Sequence, residues 1–470
     1  MLFSKRDLLK MVLPMMVQQV LAITVGTVDS IMVASAGEAA VAGVALVGML
    51  DSLLIITFSS LVTGGAVTVS HALGSGDRRL ARECAKQLIY ITCGIALVVA
   101  ALAGVFRQPL LRILYGSAEA DVMWHANRYL GIMVISFPFL ALYSSGAALF
   151  RTMGDTMTDL RLSLLANGIN VAGNAIFIYV FQMGAAGAAL ATLIARAVCA
   201  VIVIRMLHNP GRDICIEKLW HYKPDREIIR KMLRIGVPHG IESSMFQFGR
   251  LATQVLISGM GTAAIAANSV ALTLSSYLNM PSSAIGNAVI TVVGRSYGAG
   301  ELQQSKQYAR LLLFWEYLCM WAISLFLVLA CKPIIGVYHL SAEGMHIAMQ
   351  LTIFYCIFVS LVRPLAFNLP CVFKATGDTR FTMVVSTLSM WIVRVGFSYV
   401  FSLETVELFG LSFPGFGMGI MGVWVAMVGD WMVRAALYTT RFLRDTWLKK
   451  GIKTAQNQPA QAGKRCLSSK

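Results

Sequence analysis

Apolar segments long enough to cross a lipid bilayer recur along most of the chain, separated by short polar stretches. A helix needs roughly 20 apolar residues to span the hydrocarbon core. Twelve segments meet that length, at about 11–34, 40–72, 86–106, 124–150, 160–182, 186–207, 234–258, 263–294, 308–331, 345–373, 381–402 and 416–441. The pattern predicts an all-α polytopic membrane protein with twelve transmembrane helices.

The pattern of apolar and polar positions occurs twice along the chain. Residues 14–77 align with residues 238–301 without a gap, and Pro14 falls on Pro238. Only 12 of the 64 aligned pairs are identical, but the matches lie mainly at helix breaks and glycine turns. Because six helices precede the second copy, we predict two six-helix bundles related as a parallel repeat. A duplicated membrane domain of this kind suits alternating access.

A second internal match supports the duplication. Residues 150–156, Phe-Arg-Thr-Met-Gly-Asp-Thr, correspond to residues 373–379, Phe-Lys-Ala-Thr-Gly-Asp-Thr. Each segment joins the fourth and fifth helices of its half. Glycine can end one helix there and aspartate can cap the next, so we interpret both segments as structural turns.

The repeat and the distribution of polar residues divide the chain into four parts. We predict an N-lobe over residues 1–207 and a cytoplasmic linker over 208–233 that ends in an amphipathic surface segment. A C-lobe follows over residues 234–445. The polar residues 446–470 are predicted to form a disordered cytoplasmic tail.

Charge placement fixes the expected orientation. Charged residues make up 13% of the chain, against about 25% in soluble domains. Three of the 39 Lys and Arg residues fall on the outer side and six within predicted helices, which leaves 30 on the cytoplasmic side. This bias follows the positive-inside rule. It predicts cytoplasmic termini in the inner or plasma membrane, and it gives the net charge of +16 an explanation other than nucleic-acid binding.

The motifs exclude several classes of protein. The chain contains no G-x-x-x-x-G-K-[ST] phosphate-binding loop, so ATP hydrolysis does not drive it. Its nine scattered cysteines include no C-x-x-C pair and suggest neither disulfides nor zinc. We expect a protein without enzymatic activity that uses no cofactor except H+ or Na+ as a coupling ion.

Asp29 is the strongest candidate for a functional residue. Inserting a carboxylate into the membrane costs about 2.5–3.5 kcal/mol, so it persists where it binds a cation, takes up a proton or faces water. The alternative is a structural ion pair with a distant arginine. Asn170 and Asn174, at i and i+4, share a helix face, and Thr192 lies on the next helix. Taken singly, these polar residues are equally compatible with interhelical hydrogen bonding.

Other membrane-embedded residues are secondary candidates. Pro14 lies about four helical turns before Asp29 and permits the first helix to bend. Glu242, one turn after Pro238, is the candidate acid of a second site. Further acids and their candidate arginine partners are Asp51, Glu316, Asp430, Arg250, Arg363, Arg394 and Arg434.

These features together resemble the multidrug and toxic compound extrusion (MATE) family over about residues 5–445. The doubled six-helix unit, the spacing of Pro14 and Asp29, the paired Gly-Asp-Thr turns and the series from Asn170 to Thr192 carry the resemblance. It implies two six-helix lobes around a central cavity, and export driven by Na+ or H+. It also implies bending of the first helix at Pro14, which is proposed to accompany protonation in some members.

The resemblance further implies a cation site in the N-lobe. Asp29 would form it with Asn170, Asn174 and Thr192, and would bind Na+ directly if the protein is sodium-coupled. Many relatives carry a second aspartate where this chain has Asn174. Since Thr253 stands at the repeat position of Asp29, coupling is expected to centre on the N-lobe, by a single proton or by a weaker Na+ site.

We therefore predict a monomeric secondary antiporter in the lipid bilayer that exports small organic compounds or toxic metabolites. Intramembrane acids favour cationic, amphipathic substrates. One alternative is a lipid-linked precursor flippase of the same superfamily, which twelve helices and an acidic first helix disfavour. The other is a membrane receptor or scaffold that transports nothing, which the short loops disfavour.

Overall fold

The computed structural model describes residues 2–116, 119–216, 223–408 and 411–448. Within these ranges the chain is almost entirely helical. It divides into two units, Leu2–Gly240 and the residues from Ile241 onward. We call them the N unit and the C unit.

Six long helices and one short helix form most of the N unit. They are α1 (Lys5–Ala34), α2 (Glu38–Gly74), α3 (Arg78–Val105), the short α4 (Arg107–Tyr115), α5 (Ala120–Met153), α6 (Thr156–Asn174) and α7 (Gly184–Leu207). A π-helical segment, Ala175–Val180, continues α6. The boundary between the units falls inside the next helix, α8 (Arg226–Ser258).

The helices of the C unit are interrupted more often. After α8 come α9 (Thr262–Gly298), α10 (Leu302–Leu329), α11 (Cys331–Gly336), α12 (Ala342–Arg363), α13 (Leu369–Ala375), α14 (Thr379–Leu388), α15 (Phe397–Ser402) and α16 (Ile420–Leu443). The π-helical segment Pro364–Asn368 joins α12 to α13, and Ser389–Gly396 joins α14 to α15. Strands β1 (Thr405–Leu408) and β2 (Leu411–Pro414) pair antiparallel, with Thr405 opposite Pro414.

Twelve helical paths in the described ranges correspond to the twelve predicted segments. Ten of them are long and apolar enough to cross a membrane. The other two, α8 and α9, are 33 and 37 residues long but more polar. The C unit thus begins with two long helices that carry more polar groups than the rest.

Helix packing in each unit buries large side chains at a few central elements. In the N unit, α5 contacts α2, α3 and α7, and buries Leu130, Phe137 and Phe150. In the C unit, the Tyr355 ring meets the rings of Trp424 and Trp431 edge to face, with centroids 5.5 and 5.8 Å apart. Such aromatic pairs stabilise a fold beyond their buried area.

Gly64 allows α2 to approach the first turns of α8. A Cβ atom added at Gly64 would lie 2.5 Å from the carbonyl oxygen of Met232 and 2.8 Å from the amide nitrogen of Gly236. Both neighbours are backbone atoms, which cannot rotate away. The helices therefore meet at this point only because residue 64 has no side chain.

The two Gly-Asp-Thr segments are structural turns, as interpreted from the sequence. Gly154 and Gly377 follow α5 and α13 with φ of 87° and 82°, a conformation that favours glycine. Asp155 accepts a hydrogen bond from the Thr158 amide at 3.1 Å and pairs with Arg212 at 2.8 Å. Asp378 pairs with Arg441 instead. Asp155 thus caps the start of α6, whereas Asp378 precedes α14 without a side-chain cap and binds α16 through Arg441.

Three local features differ from the expectation. The amphipathic residues 226–233 do not form a separate surface helix, because α8 begins at Arg226 and continues into the membrane segment. Residues 446–448 extend the ordered part of the chain, with the Trp447 side chain buried and stacked on Phe442. The β-hairpin interrupts an otherwise helical chain and was not expected. The remaining predicted tail, 449–470, and linker residues 217–222 lie outside the described ranges.

Substitution of Gly64 by alanine is expected to destabilise the N unit. Overpacking of this kind typically costs about 1–3 kcal/mol. Gly48→Ala on the same helix is the matched control, because nothing lies within 4 Å of an added Cβ there. Alanine favours a helix over glycine by about 1 kcal/mol, so Gly48→Ala should keep or raise the Tm in detergent. A Tm equally unaffected in Gly64→Ala would contradict the close approach of α2 and α8.

The pKa of Asp155 predicts a pH-dependent contribution to stability. Partial burial alone would raise the pKa of this carboxyl, but hydrogen bonds from Thr158 and Arg212 outweigh burial and lower it. Because the pKa is lower in the folded state, the carboxylate stabilises the fold at pH values above the pKa of the unfolded chain, about 3.9. This stabilisation is lost as the pH falls below that value and through the folded-state pKa.

Asp155→Asn keeps a side chain that caps the helix equally well but removes the charge. We expect it to lower stability at pH 7 by about 0.2–1 kcal/mol, the range for partly exposed ion pairs. Thermal unfolding between pH 3.5 and 7 should show the two proteins converging below about pH 4. If the stability difference between wild type and Asp155→Asn were as large at pH 3.5 as at pH 7, the carboxylate charge would be excluded as its cause.

Candidate functional site

Asp29 lies near the end of α1, five residues before the helix ends at Ala34. Its side chain is half-buried. The Asn174 amide nitrogen donates a 2.8 Å hydrogen bond to Asp29 Oδ1. None of the described residues forms an ion pair with Asp29 at 4 Å or less. The structural alternative, a carboxylate paired with a distant arginine, is therefore not what the geometry shows.

The polar residues proposed from the sequence converge on Asp29. Asn170 and Asn174 lie one turn apart on α6 and are both buried. Asn170 fits between Asp29 and Thr192: with its amide nitrogen toward Asp29, it donates to both carboxylate oxygens at 2.8 and 3.0 Å. Its amide oxygen then accepts from Thr192 Oγ1 at 3.0 Å. Tertiary packing thus joins α1, α6 and α7 through one carboxylate, two amides and a hydroxyl.

The donor set of this cluster fits a proton or a small hard cation. Carboxylate, amide and hydroxyl oxygens are the ligands preferred by such cations. Asn174 Oδ1 is buried and has no hydrogen-bond partner among the described residues. An unsatisfied buried oxygen is costly, and a bound cation or a protonated Asp29 would satisfy it.

Neighbouring acids in the N unit are neutralised by arginines, which sets Asp29 apart. Arg196 Nη2 lies 3.2 Å from Asp51 Oδ2, and Arg196 Nη1 donates to Ser136 Oγ at 2.8 Å. Asp159 is completely buried and pairs with Arg151 at 2.8 Å. Sequence alone did not assign these partners: Arg196 and Asp51 are 145 residues apart, and Arg151 and Asp159, eight residues apart, lie on different helices.

Pro14 lies within α1, which remains continuous from Lys5 to Ala34. Proline has no amide hydrogen to donate to the preceding turn, so one helical hydrogen bond is missing there. Pro14 is buried and makes no direct contribution to the cluster around Asp29. Its part in bending stays a prediction.

Glu242 is placed in a different environment from Asp29. Lys374 Nζ and Ser386 Oγ each donate to Glu242 Oε1 at 3.2 Å, and Thr382 Oγ1 donates to Oε2 at 3.3 Å. Its negative charge is compensated by the lysine, which sequence analysis had not considered as a partner. A second coupling role for Glu242 stays a prediction.

Comparison with known proteins gives matches over nearly the whole chain. The MatE family profile matches residues 14–176 and 238–400. The "Uncharacterized transporter YisQ" of Bacillus subtilis is 24% identical over 449 residues, which cover 93% of this chain and 94% of that protein. The "Probable multidrug resistance protein NorM" of Thermotoga maritima is 24% identical over 462 residues, covering 96% and 95%.

A solved structure described as "Crystal structure of MATE in the bent conformation" matches with a TM-score of 0.85 at 20% identity. It covers 95% of this chain and 96% of that one. The two profile matches begin at Pro14 and Pro238, the pair of prolines that the internal alignment of the sequence superimposes. The twelve-helix fold and its internal repeat are thereby confirmed.

Asn174→Asp is expected to make the cluster bind a cation more tightly. The substitution puts a second carboxylate at hydrogen-bond distance from Asp29, and two such charges favour uptake of Na+ or a proton. At pH 8, the Na+ concentration that half-maximally raises the Tm should fall at least about tenfold, which corresponds to 1.4 kcal/mol. Asn209→Asp, at an exposed position after α7, adds the same charge elsewhere and serves as control. Equal Na+ dependence in the two variants would argue against a cation site here.

Proposed function

Because the chain belongs to the multidrug and toxic compound extrusion (MATE) family of membrane transporters, we propose that it is a secondary antiporter. It exports small organic compounds in exchange for inward flow of H+ or Na+ by alternating access. Members of this family are transporters and not enzymes. The observation that carries the proposal is the unpaired carboxylate of Asp29 within its amide and hydroxyl cluster.

The two amides allow the cluster to accept Asp29 in either charge state. An amide nitrogen donates to the ionised carboxylate, whereas an amide oxygen accepts from a protonated carboxyl or binds a cation. Rotation of Asn170 or Asn174 by half a turn exchanges these roles. The site can thus take up and release a positive charge while Asn170 and Asn174 keep hydrogen bonds to Asp29 in either state.

Charge loading at Asp29 would change the packing of α1 against α6 and α7. The hydrogen bond from Asn174 to Asp29 joins α1 to α6, and the π-helical segment Ala175–Val180 begins at the next residue. Such segments occur often at functional sites. Pro14 gives α1 a second point of low bending cost. We propose that cation entry breaks the hydrogen bond from the Asn174 amide nitrogen to Asp29. Loss of this link between α1 and α6 favours release of the exported compound on the outer side.

The proposal includes a location, an oligomeric state and a set of ligands for the protein. It works as a monomer in the plasma or inner membrane with both termini in the cytoplasm. A small-molecule substrate and the coupling ion are its ligands, with no further cofactor and no nucleic acid. Glu242, neutralised by Lys374 at 3.2 Å, is a candidate for a secondary role in the C unit.

Dye efflux from proteoliposomes tests the coupling. A cationic dye, ethidium, and an anionic dye, carboxyfluorescein, are each followed under an imposed Na+ gradient or an imposed pH gradient. We expect one gradient to drive transport, and Asp29→Asn to reduce the driven rate at least about tenfold because the amide cannot titrate. Asp121→Asn makes the same chemical change at an exposed position of the N unit and should transport normally.

Each outcome assigns the coupling differently. Loss of driven transport in Asp29→Asn alone places coupling in the N unit and names the ion. Driven transport that survives in Asp29→Asn would move coupling elsewhere, with Glu242 as the next candidate. Absence of gradient-driven transport for both dyes in the wild-type protein would count against the antiporter.

A further inference from the structure

The repeat positions of the cation cluster carry the opposite polarity in the C unit. In the register that places Pro14 on Pro238, Asp29 corresponds to Thr253 and Asn170 to Arg394. A carboxylate is thus replaced by a neutral hydroxyl, and an amide by a guanidinium. The Gly-Asp-Thr turns fall one position short of this register, since Gly154 matches Gly377. In the register of the turns Asn170 falls on Val393, the neighbour of Arg394, and the π-helical segment Ser389–Gly396 that contains both can accommodate the one-residue difference.

Arg394 is buried without a partner for its charge. Its side chain is 7% exposed, and Nε is buried with no hydrogen-bond partner among the described residues. Its guanidinium lies 5.5 Å from the centroid of the Phe246 ring. Among the described residues no carboxylate lies within 4 Å of it. A buried guanidinium with unused donors is suited to an oxyanion, which it can bind through two parallel hydrogen bonds.

The neighbourhood of Arg394 adds positive charge. Its charged neighbours are Arg250, Arg434 and Asp430. Asp430 is already engaged by Arg434 at 2.7 Å and by Ser389 at 2.5 Å. Arg250 is exposed on α8, and the hydrogen bond described for its side chain is a 3.5 Å contact from Nη1 to Gln247. Arg250 therefore adds positive charge near Arg394, while Asp430, the acid among these neighbours, is held by Arg434.

The charge balance of the helix interiors supports the same conclusion. In the C unit the pairs Arg434–Asp430 and Lys374–Glu242 cancel. At the remaining described intramembrane positions of the C unit, three arginines face one acid. These residues are Arg250, Arg363, Arg394 and Glu316. In the polar cluster of the N unit around Asn170 and Asn174, by contrast, the charged residue without an ionic partner is an acid, Asp29.

We propose that the C unit binds the exported compound through an anionic group, with Arg394 and Arg250 as its ligands. This inference rests on the proposed export function and names its substrate class: an organic anion that carries a carboxylate, sulfonate or phosphate. It replaces the expectation of a cationic substrate drawn from the sequence. The opposite charges of the two sites keep the coupling cation and the exported anion apart, because the cation is attracted to Asp29 and repelled by the arginines.

A structural alternative must be tested alongside. Asp430 Oδ2 is buried and has no hydrogen-bond partner among the described residues. Asp430 is a charged neighbour of Arg394, and a shift of the guanidinium to that oxygen would pair the two. In that case Arg394 would stabilise the fold through Asp430 and would contribute nothing to ligand selection.

Equilibrium dialysis with purified protein in detergent distinguishes the anion-binding role of Arg394 from its structural role. Protein-free micelles serve as the blank. The probes are carboxyfluorescein, an anion, and rhodamine 6G, a cation on the same ring system. We expect saturable binding of carboxyfluorescein at least tenfold tighter than that of rhodamine 6G. Arg394→Gln should weaken carboxyfluorescein binding at least tenfold, and Arg394→Lys should bind with intermediate affinity, since it keeps the charge but loses the planar donors.

Two further variants keep the test decisive. Arg128→Gln removes an intramembrane arginine of the N unit that stacks on Trp124 at 4.6 Å, and it should bind both dyes as the wild type does. Arg250→Gln, at an exposed position, should weaken only carboxyfluorescein binding and covers the case in which Arg394→Gln does not fold.

The proposal is overturned if rhodamine 6G binds as tightly as carboxyfluorescein, or if carboxyfluorescein shows no saturable binding. It is also overturned if Arg394→Gln and Arg250→Gln bind carboxyfluorescein normally, and a lowered Tm of Arg394→Gln would then indicate the structural role through Asp430. The assay uses no ion gradient. Failure of gradient-driven transport with intact selectivity for the anion would therefore count against the antiporter alone.

Discussion

The cost of placing charge inside a bilayer constrains every other feature of this protein. Insertion scales put it at about 2.5–3.5 kcal/mol for each aspartate, lysine or arginine at a helix centre. The chain offsets part of this cost by pairing intramembrane charges, as in Arg196 with Asp51 and Arg434 with Asp430. Asp29 and Arg394 are exceptions. Each is buried or half-buried among polar or aromatic neighbours that leave its charge uncompensated, which is why both are assigned ligands.

The duplication explains how one fold can carry the two sites of opposite sign that we propose. Glycine turns, helix starts and the Pro14 and Pro238 positions are shared because both halves need the same backbone path. Side chains that face the interior of a unit are free to differ once the path is fixed. The N unit uses this freedom for a carboxylate with two amides, and the C unit for guanidinium groups.

Departures from regular α-helix coincide with these polar sites. The π-helical segment Ala175–Val180 follows Asn174, and Ser389–Gly396 contains Arg394. The third such segment in the described ranges, Pro364–Asn368, follows Arg363. A π turn loosens the regular hydrogen-bond pattern, so these helices can change register at low cost next to Asn174 and Arg394. Coupling between ligand binding and helix movement has a local physical basis there.

The sequence by itself determined the class, the helix count and the repeat, and it identified Asp29 as the main candidate for a functional residue. Hydrophobic length and charge bias act along the chain, so they can be recognised without coordinates. Asn170, Asn174 and Thr192 were identified as candidates from helix spacing and from family resemblance, yet their convergence on Asp29 was decided by packing of α1, α6 and α7.

Ion-pair partners, by contrast, could not be deduced. Lys374 meets Glu242 across 132 residues and Arg196 meets Asp51 across 145. Many arginines and acids were available to pair, and local sequence does not rank them. Only the tertiary structure decided which charges are neutralised and which remain available, because that depends on the distances between helices far apart in the chain.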